Sequence, residues 1–237
     1  ISFTNGSKLT LKLSRDLILA GIDVLRVSCI GYDKQTYAHW MSRDNYNETR
    51  NNIKRFVKLN LSMGKKSEIQ LLHLIINSEM KDYEIQKYKE NWSEYTGAKS
   101  EIWLMHNWAG SKISINYQRL EPHKRSCGRP FSPLLQVRAG GVNGHSGAVV
   151  ACCMVLGKDS QAVLGHLDNQ TISEVLKGQK FSELRNAHTK EKFSDISYCS
   201  NCDQLYDMPD SLVWTDIEGR EYGQSKISPE IKHHMYS

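Results

Sequence analysis

Ile69-Gln70-Leu71-Leu72-His73-Leu74-Ile75-Ile76 is an almost unbroken apolar run of strand length. A strand with one wet face alternates apolar and polar residues, whereas a strand covered on both faces does not. The run therefore predicts an inner strand of a parallel, helix-flanked sheet, with His73 as a hydrogen-bonded core histidine. Its surroundings agree. Upstream, Asp23-Val24-Leu25-Arg26-Val27-Ser28 is a second strand. Apolar residues at helical spacing from Leu9 to Leu19 precede it, with Gly21 in the position of a C-cap glycine. Ile1-Ser2-Phe3-Thr4 is a short strand end closed by the turn Asn5-Gly6. After a loop, Asn52-Ile53, Phe56-Val57 and Leu59 mark another amphipathic helix. Downstream, a Lys- and Glu-rich helix fills Glu79 to Glu94, and Glu101-Ile102-Trp103-Leu104-Met105 is a fourth strand. Strands alternating with helices in this way predict an α/β fold with parallel strands. In such sheets ligands gather at the C-terminal strand ends. Here those ends are Thr4-Asn5-Gly6, Ser28-Cys29, Asn77-Ser78 and His106-Asn107-Trp108, all polar.

The second half of the chain is organised around sulfur. Cys199-Ser200-Asn201-Cys202 places two thiols on a tight loop, and Cys127 with the pair Cys152-Cys153 lies upstream. Every cysteine except Cys29 falls between Cys127 and Cys202. Four sulfurs brought together suit tetrahedral Zn²⁺ or an iron–sulfur cluster. Cys29, at a strand end, reads as a structural thiol.

Composition sets outer limits. The chain has 237 residues, 39% hydrophobic and 24% charged, with a formal net charge of +5. That excess is too mild and too spread out to point to nucleic acid. No apolar run approaches the roughly 18 residues of a membrane span, and the first residues have no export-signal pattern. A cytoplasmic setting with reduced thiols, and so metal rather than disulfides, is the expectation. No Ser-His-Asp set, phosphate loop or H-E-x-x-H motif stands out.

Several stretches together resemble the radical S-adenosylmethionine (radical SAM) enzymes. Phe3-Thr4-Asn5-Gly6, then Gly21-Ile22-Asp23-Val24-Leu25-Arg26-Val27-Ser28, is similar to the middle of that barrel. Tyr37 to Arg43 running into Asn52-Ile53 is similar to its helix entry. In the second half, Cys127-Gly128-Arg129-Pro130-Phe131, Gly147 to Cys153, Leu164-Gly165-His166-Leu167, Thr171 to Gly178, Leu184-Arg185 and Cys199-x-x-Cys202 follow in order. This resembles the C-terminal SPASM/twitch extension, which carries auxiliary iron–sulfur centres. The C-x-x-x-C-x-x-C and GGE segments of the family do not occur in the sequence. The resemblance therefore implies an N-terminally truncated member lacking the first two βα units and unable by itself to cleave SAM.

The resemblance implies the last four βα units of a partial (β/α)6 barrel over residues 1–118. A small α+β SPASM/twitch domain follows over 119–205, then a surface tail over 206–237. It implies one auxiliary [4Fe–4S] cluster on Cys127, Cys152, Cys199 and Cys202, with Cys153 turned to the opposite strand face and buried. Thr4, Asn5, Ser28 and Arg43 are the implied SAM contacts. SAM and a second [4Fe–4S] cluster are expected only in the full-length enzyme. A peptide or small-molecule substrate and an electron donor such as flavodoxin or ferredoxin are the implied partners. A non-catalytic iron–sulfur or zinc module with a degenerate barrel is the alternative.

Overall fold

The computed structural model describes residues 1–64, 67–109, 124–132, 135–140, 146–155, 160–205 and 212–219. The chain divides into two compact units. One is built on Ile1–Met105 together with the strand Leu212–Thr215, the other on the described part of His106–Pro209. The division after Met105 precedes the boundary at 118 expected from sequence.

The first unit is a mixed α/β structure on a five-stranded, mostly parallel sheet. Strands β1 (Ser2–Thr4), β2 (Val24–Ser28), β3 (Glu68–Ile75) and β4 (Lys99–Leu104) lie side by side in that order, all parallel. Strand β8 (Leu212–Thr215) closes the sheet antiparallel to β4. This strand is a correction to the expected surface tail: Leu212 is fully buried, and Asp216 accepts a hydrogen bond from the Ser100 N–H at 2.6 Å. Pairing with β4 gives its short apolar stretch a partner that no local pattern announces.

Helix α1 (Leu11–Leu19) starts where the Thr10 side chain accepts the Leu13 N–H. It ends against Gly21, whose φ of +77° is the left-handed conformation glycine tolerates. The stretch expected as a loop after β2 contains a further helix, α2 (Lys34–Met41). Its start is a capping box in which Asp33 and Thr36 each accept the other's backbone N–H. Helix α3 (Tyr46–Ser62) follows, and Asn52 and Arg55 on it hydrogen-bond the backbone carbonyls of Gly6 and Leu9 after β1. Leu25, Val27, Leu71, Ile75 and Ile102 from the sheet pack with Ile53, Phe56, Tyr88 and Trp92 in one buried cluster.

A polar network lies inside that core. His73 on β3 is fully buried, accepts the Gly31 N–H at 3.2 Å and stacks on Tyr88. Helix α4 (Lys81–Tyr88) brings Glu84 to within 3.5 Å of its other ring nitrogen. Glu84, itself 1% exposed, accepts the backbone N–H groups of Ile76 and Asn77 at 2.9 and 2.7 Å. Trp92, on the π-helical turn after α4, donates to the Gly31 carbonyl.

The second unit carries a three-stranded antiparallel sheet, β5 (Gln136–Arg138), β6 (Ala148–Val150) and β7 (Val163–His166). The connection between β5 and β6 lies in part outside the described residues. Helices α5 (Ile172–Lys177), α6 (Gln179–Thr189) and α7 (Ser197–Ser200) complete it. Thr171 and Glu174 cap α5 reciprocally. Gly165 permits β7 to meet α5, since a Cβ there would stand 2.6 Å from a Val175 methyl. No helix among the described residues is long and apolar enough to cross a membrane.

Two outcomes follow for the first unit. Glu84→Ala should cost about 3 kcal/mol in chemical denaturation, because it strands two backbone N–H groups and the His73 ring. Burial lowers the His73 pKa from its ordinary 6.5, with Glu84 acting in the opposite sense. Below pH 6.5 the unfolded chain takes up a proton that the folded chain resists, so stability should fall as the pH drops. Glu84, Tyr88, the Gly31 N–H and the Cys29 backbone face the ring. His73→Gln should flatten that part of the denaturation midpoint's pH dependence.

Candidate metal centre

Cys127, Cys152, Cys199 and Cys202 line a single cavity in the second unit. It encloses an empty volume of about 400 Å³, counting the part open to solvent. Arg129, His188, Leu184, Tyr198 and Leu205 also line it, and its walls are largely apolar. Among the described residues, no three His, Cys, Asp or Glu side chains group closely enough to hold one metal ion.

Three segments deliver these thiols. Cys127 precedes Gly128, whose φ of +77° turns the chain into a short helical turn, Arg129–Phe131. Cys152 follows the end of β6. Cys199 closes α7, and the Cys202 N–H returns to the Cys199 carbonyl at 2.9 Å. Asn107 staples this last loop: its side chain donates to the Asn201 carbonyl at 2.7 Å and accepts the Asp203 N–H at 3.2 Å. Its own N–H donates to the Asp203 carboxylate. Lys124 reaches the Ser200 carbonyl, and the Arg125 N–H reaches that of Leu205. Trp108 and Ala109 take left-handed backbone angles as the chain turns away, a conformation costly for any residue with a Cβ.

Burial dominates the thiol energetics. It raises the Cys202 pKa to about 12 and the Cys199 pKa as well, with Cys127 adding repulsion at both. Arg129 Nη1 lies 3.4 Å from the Cys152 Sγ and 3.2 Å from the Cys153 Sγ. Burial works against its charge, but Cys152, Cys153 and Cys127 together raise its pKa. The mutual hydrogen bond of Cys152 and Cys153 and the Arg129 charge lower the Cys153 pKa, while the same hydrogen bond and burial raise that of Cys152. His188 is 1% exposed, with Nδ1 2.9 Å from the Ser126 Oγ and Nε2 3.5 Å from the Cys199 Sγ. Burial lowers its pKa to about 4.

Cys153 is exposed, not buried as expected. The alternation argument fails because β6 ends at Val150, so both adjacent cysteines sit on a turn. Cys29 is fully buried, and burial raises its pKa. Thr4, Asn5 and Ser28 lie at the C-terminal ends of β1 and β2. The Thr4 hydroxyl accepts the Gly6 N–H, and the Asn5 side chain accepts the Ser7 N–H and hydroxyl, which closes that turn on itself. Arg43 is exposed in the turn between α2 and α3. Asn107 faces the cysteine loop. His106, at 4.3 Å from the Trp108 ring, has a pKa lowered to about 4 by burial and by Arg129. Sequence reading did not single out Arg129 or His188: one stood within a motif as spacing, the other looked like any helical histidine.

Residues 144–203 match a family model, SPASM, described as an iron-sulfur cluster-binding domain. The matched stretch includes Cys152, Cys153, Cys199 and Cys202 and excludes Cys127. Neither the curated proteins nor the solved structures contain a match to this chain.

Asn107→Ala removes the two side-chain hydrogen bonds to the cysteine loop and leaves the Asp203 N–H and Asn201 carbonyl without that partner. A loss of about 2–3 kcal/mol is expected in the second unit, read as faster amide exchange at 199–205.

Proposed function

We propose that the chain is part of a radical SAM enzyme, with one auxiliary [4Fe–4S] cluster held by Cys127, Cys152, Cys199 and Cys202. The observation that carries this reading is the cavity lined by these four sulfurs and by neither Cys29 nor Cys153. The SPASM match supports the iron–sulfur assignment. Four thiolates also suit tetrahedral zinc, and the SPASM match is what favours a cluster.

A bound cluster supplies one-electron chemistry or a structural tie between segments. Four thiolates leave no iron open, so substrate is not held at that centre. The residues around it exclude water with Leu184, Tyr198 and Leu205 and hold the Cys199–Cys202 loop through Asn107. In this reading β1 to β4 are the last strands of the barrel, and the unit within His106–Pro209 is the auxiliary-cluster domain. Thr4, Asn5, Ser28 and Arg43 face SAM, a peptide, sugar or aminocyclitol is the substrate, and the SAM-cleaving cluster is carried by residues outside this sequence. The reaction class is hydrogen abstraction by a 5′-deoxyadenosyl radical, with flavodoxin or ferredoxin as electron donor. A second reading, a non-catalytic iron–sulfur or zinc module with a degenerate barrel, has one observation in its favour. The Thr4 and Asn5 side chains are already engaged by their own turn.

Anaerobic reconstitution with iron and sulfide quantitation tests the site. About four irons per chain are expected for a [4Fe–4S] centre, retained in Cys153→Ala and lost in Cys152→Ala or Cys199→Ala. Zinc without sulfide in the purified protein would reject the cluster, and iron lost in Cys153→Ala would reject the ligand set.

A further inference from the structure

Resting on the reading that this cavity holds an iron–sulfur cluster, we propose that His188 and Arg129 are positioning residues that set its reduction potential. They do so through N–H···S hydrogen bonds to Cys199 and Cys152. The argument for His188 begins at Ser126. That buried hydroxyl accepts the Gly128 N–H at 3.2 Å and lies 2.9 Å from His188 Nδ1. A hydroxyl has one proton to give. The Gly128 N–H occupies one of its two lone pairs. A ligating Cys199 thiolate can only accept, so the complementary tautomer carries the ring proton on Nε2, 3.5 Å from the Cys199 Sγ, with the hydroxyl donating to Nδ1. The partner on one ring nitrogen thus fixes what the other offers the sulfur. The relay starts on both sides of Cys127 and ends on Cys199, joining two ligand segments far apart in sequence.

Arg129 acts on the third segment. Its guanidinium lies against the Cys152 Sγ, which also accepts the Met154 N–H at 3.3 Å. The turn at Gly128 and the Pro130 that follows aim it there. Donors and positive charge at a ligating sulfur stabilise the added electron more than the oxidised centre, and so raise the potential. Arg129 brings a full charge and His188 a neutral dipole, so Arg129 should have the larger effect.

The test measures iron and sulfide first and the midpoint potential second, by redox titration followed by electron paramagnetic resonance. His188→Phe and Arg129→Met should keep the wild-type iron content and move the potential to more negative values, Arg129→Met further. His188→Gln and Arg129→Lys, which restore a donor or a charge, should recover part of the shift. Ser126→Ala, which leaves both donors present but frees the imidazole tautomer, should give a smaller shift in the same direction. Full iron with unchanged potentials would overturn the proposal while leaving the cluster assignment intact. A wild type that takes up no iron and sulfide would overturn both. Should either truncating variant fail to hold iron, Ser126→Ala and the wild type decide. Selective isotope labelling of histidine and arginine nitrogens should give a resolved coupling to the reduced cluster, and its absence would overturn the proposal.

Discussion

Four sulfurs facing one apolar-walled cavity repel one another as soon as they ionise, and that repulsion is the constraint on which the second unit is built. Burial first, and the neighbouring sulfurs after it, push the Cys199 and Cys202 pKa values up. The thiolate is the form that binds metal, so loading must release protons and exchange repulsion for attraction to a cation. The protein has to keep three segments in place before that exchange occurs. It does so with elements that do not touch metal: the Asn107 staple, the Lys124 and Arg125 contacts, and the packing of Leu184 and Tyr198 with Val149 and Val175. Arg129 puts a full positive charge beside the Cys152 and Cys153 sulfurs and partly offsets the repulsion in advance.

The first unit solves a different problem. Its sheet is parallel from β1 to β4, so helices must cover the face that carries Leu25, Val27, Leu71 and Ile102. A histidine, a glutamate and a tryptophan within that core are tolerated because polar atoms of each meet backbone groups. Glu84 accepts two N–H groups at the end of β3, His73 accepts one from Gly31, and Trp92 donates to the carbonyl of that same glycine. Gly31 itself has φ +118°, and a Cβ there would stand 2.3 Å from the Tyr37 backbone nitrogen. The loop after β2 is therefore fixed by backbone contact as much as by side chains.

The parts legible in the sequence were those with a local pattern. An unbroken apolar run marked β3, period and capping marked α1, and cysteine spacing marked the four sulfurs. Helix α2 was missed because residues 34–41 lack a strong apolar stripe; its signal was the Asp33–Thr36 capping box. Cys153 was misread because strand alternation was carried past Val150, where the strand ends. Strand β8 had only Val213-Trp214 to suggest it, and its partner β4 lies more than a hundred positions away. His188 and Arg129 had no local mark at all. Their significance comes from contacts to Ser126 and Cys152, 62 and 23 positions distant, which only folding creates.

The route of the chain has a consequence of its own. It leaves the parallel sheet after β4, builds the sulfur-bearing unit, and comes back to lay β8 antiparallel against the strand it left. That unit is thus an insertion between two hydrogen-bonded neighbours, spliced in at both ends, an arrangement exposed loops between strands accommodate. A single backbone cut on either linker would leave the two bodies covalently joined. Shortening the protein just beyond Cys202, as the cysteine pattern alone would invite, would also strip a strand from the other body and bare the edge of β4.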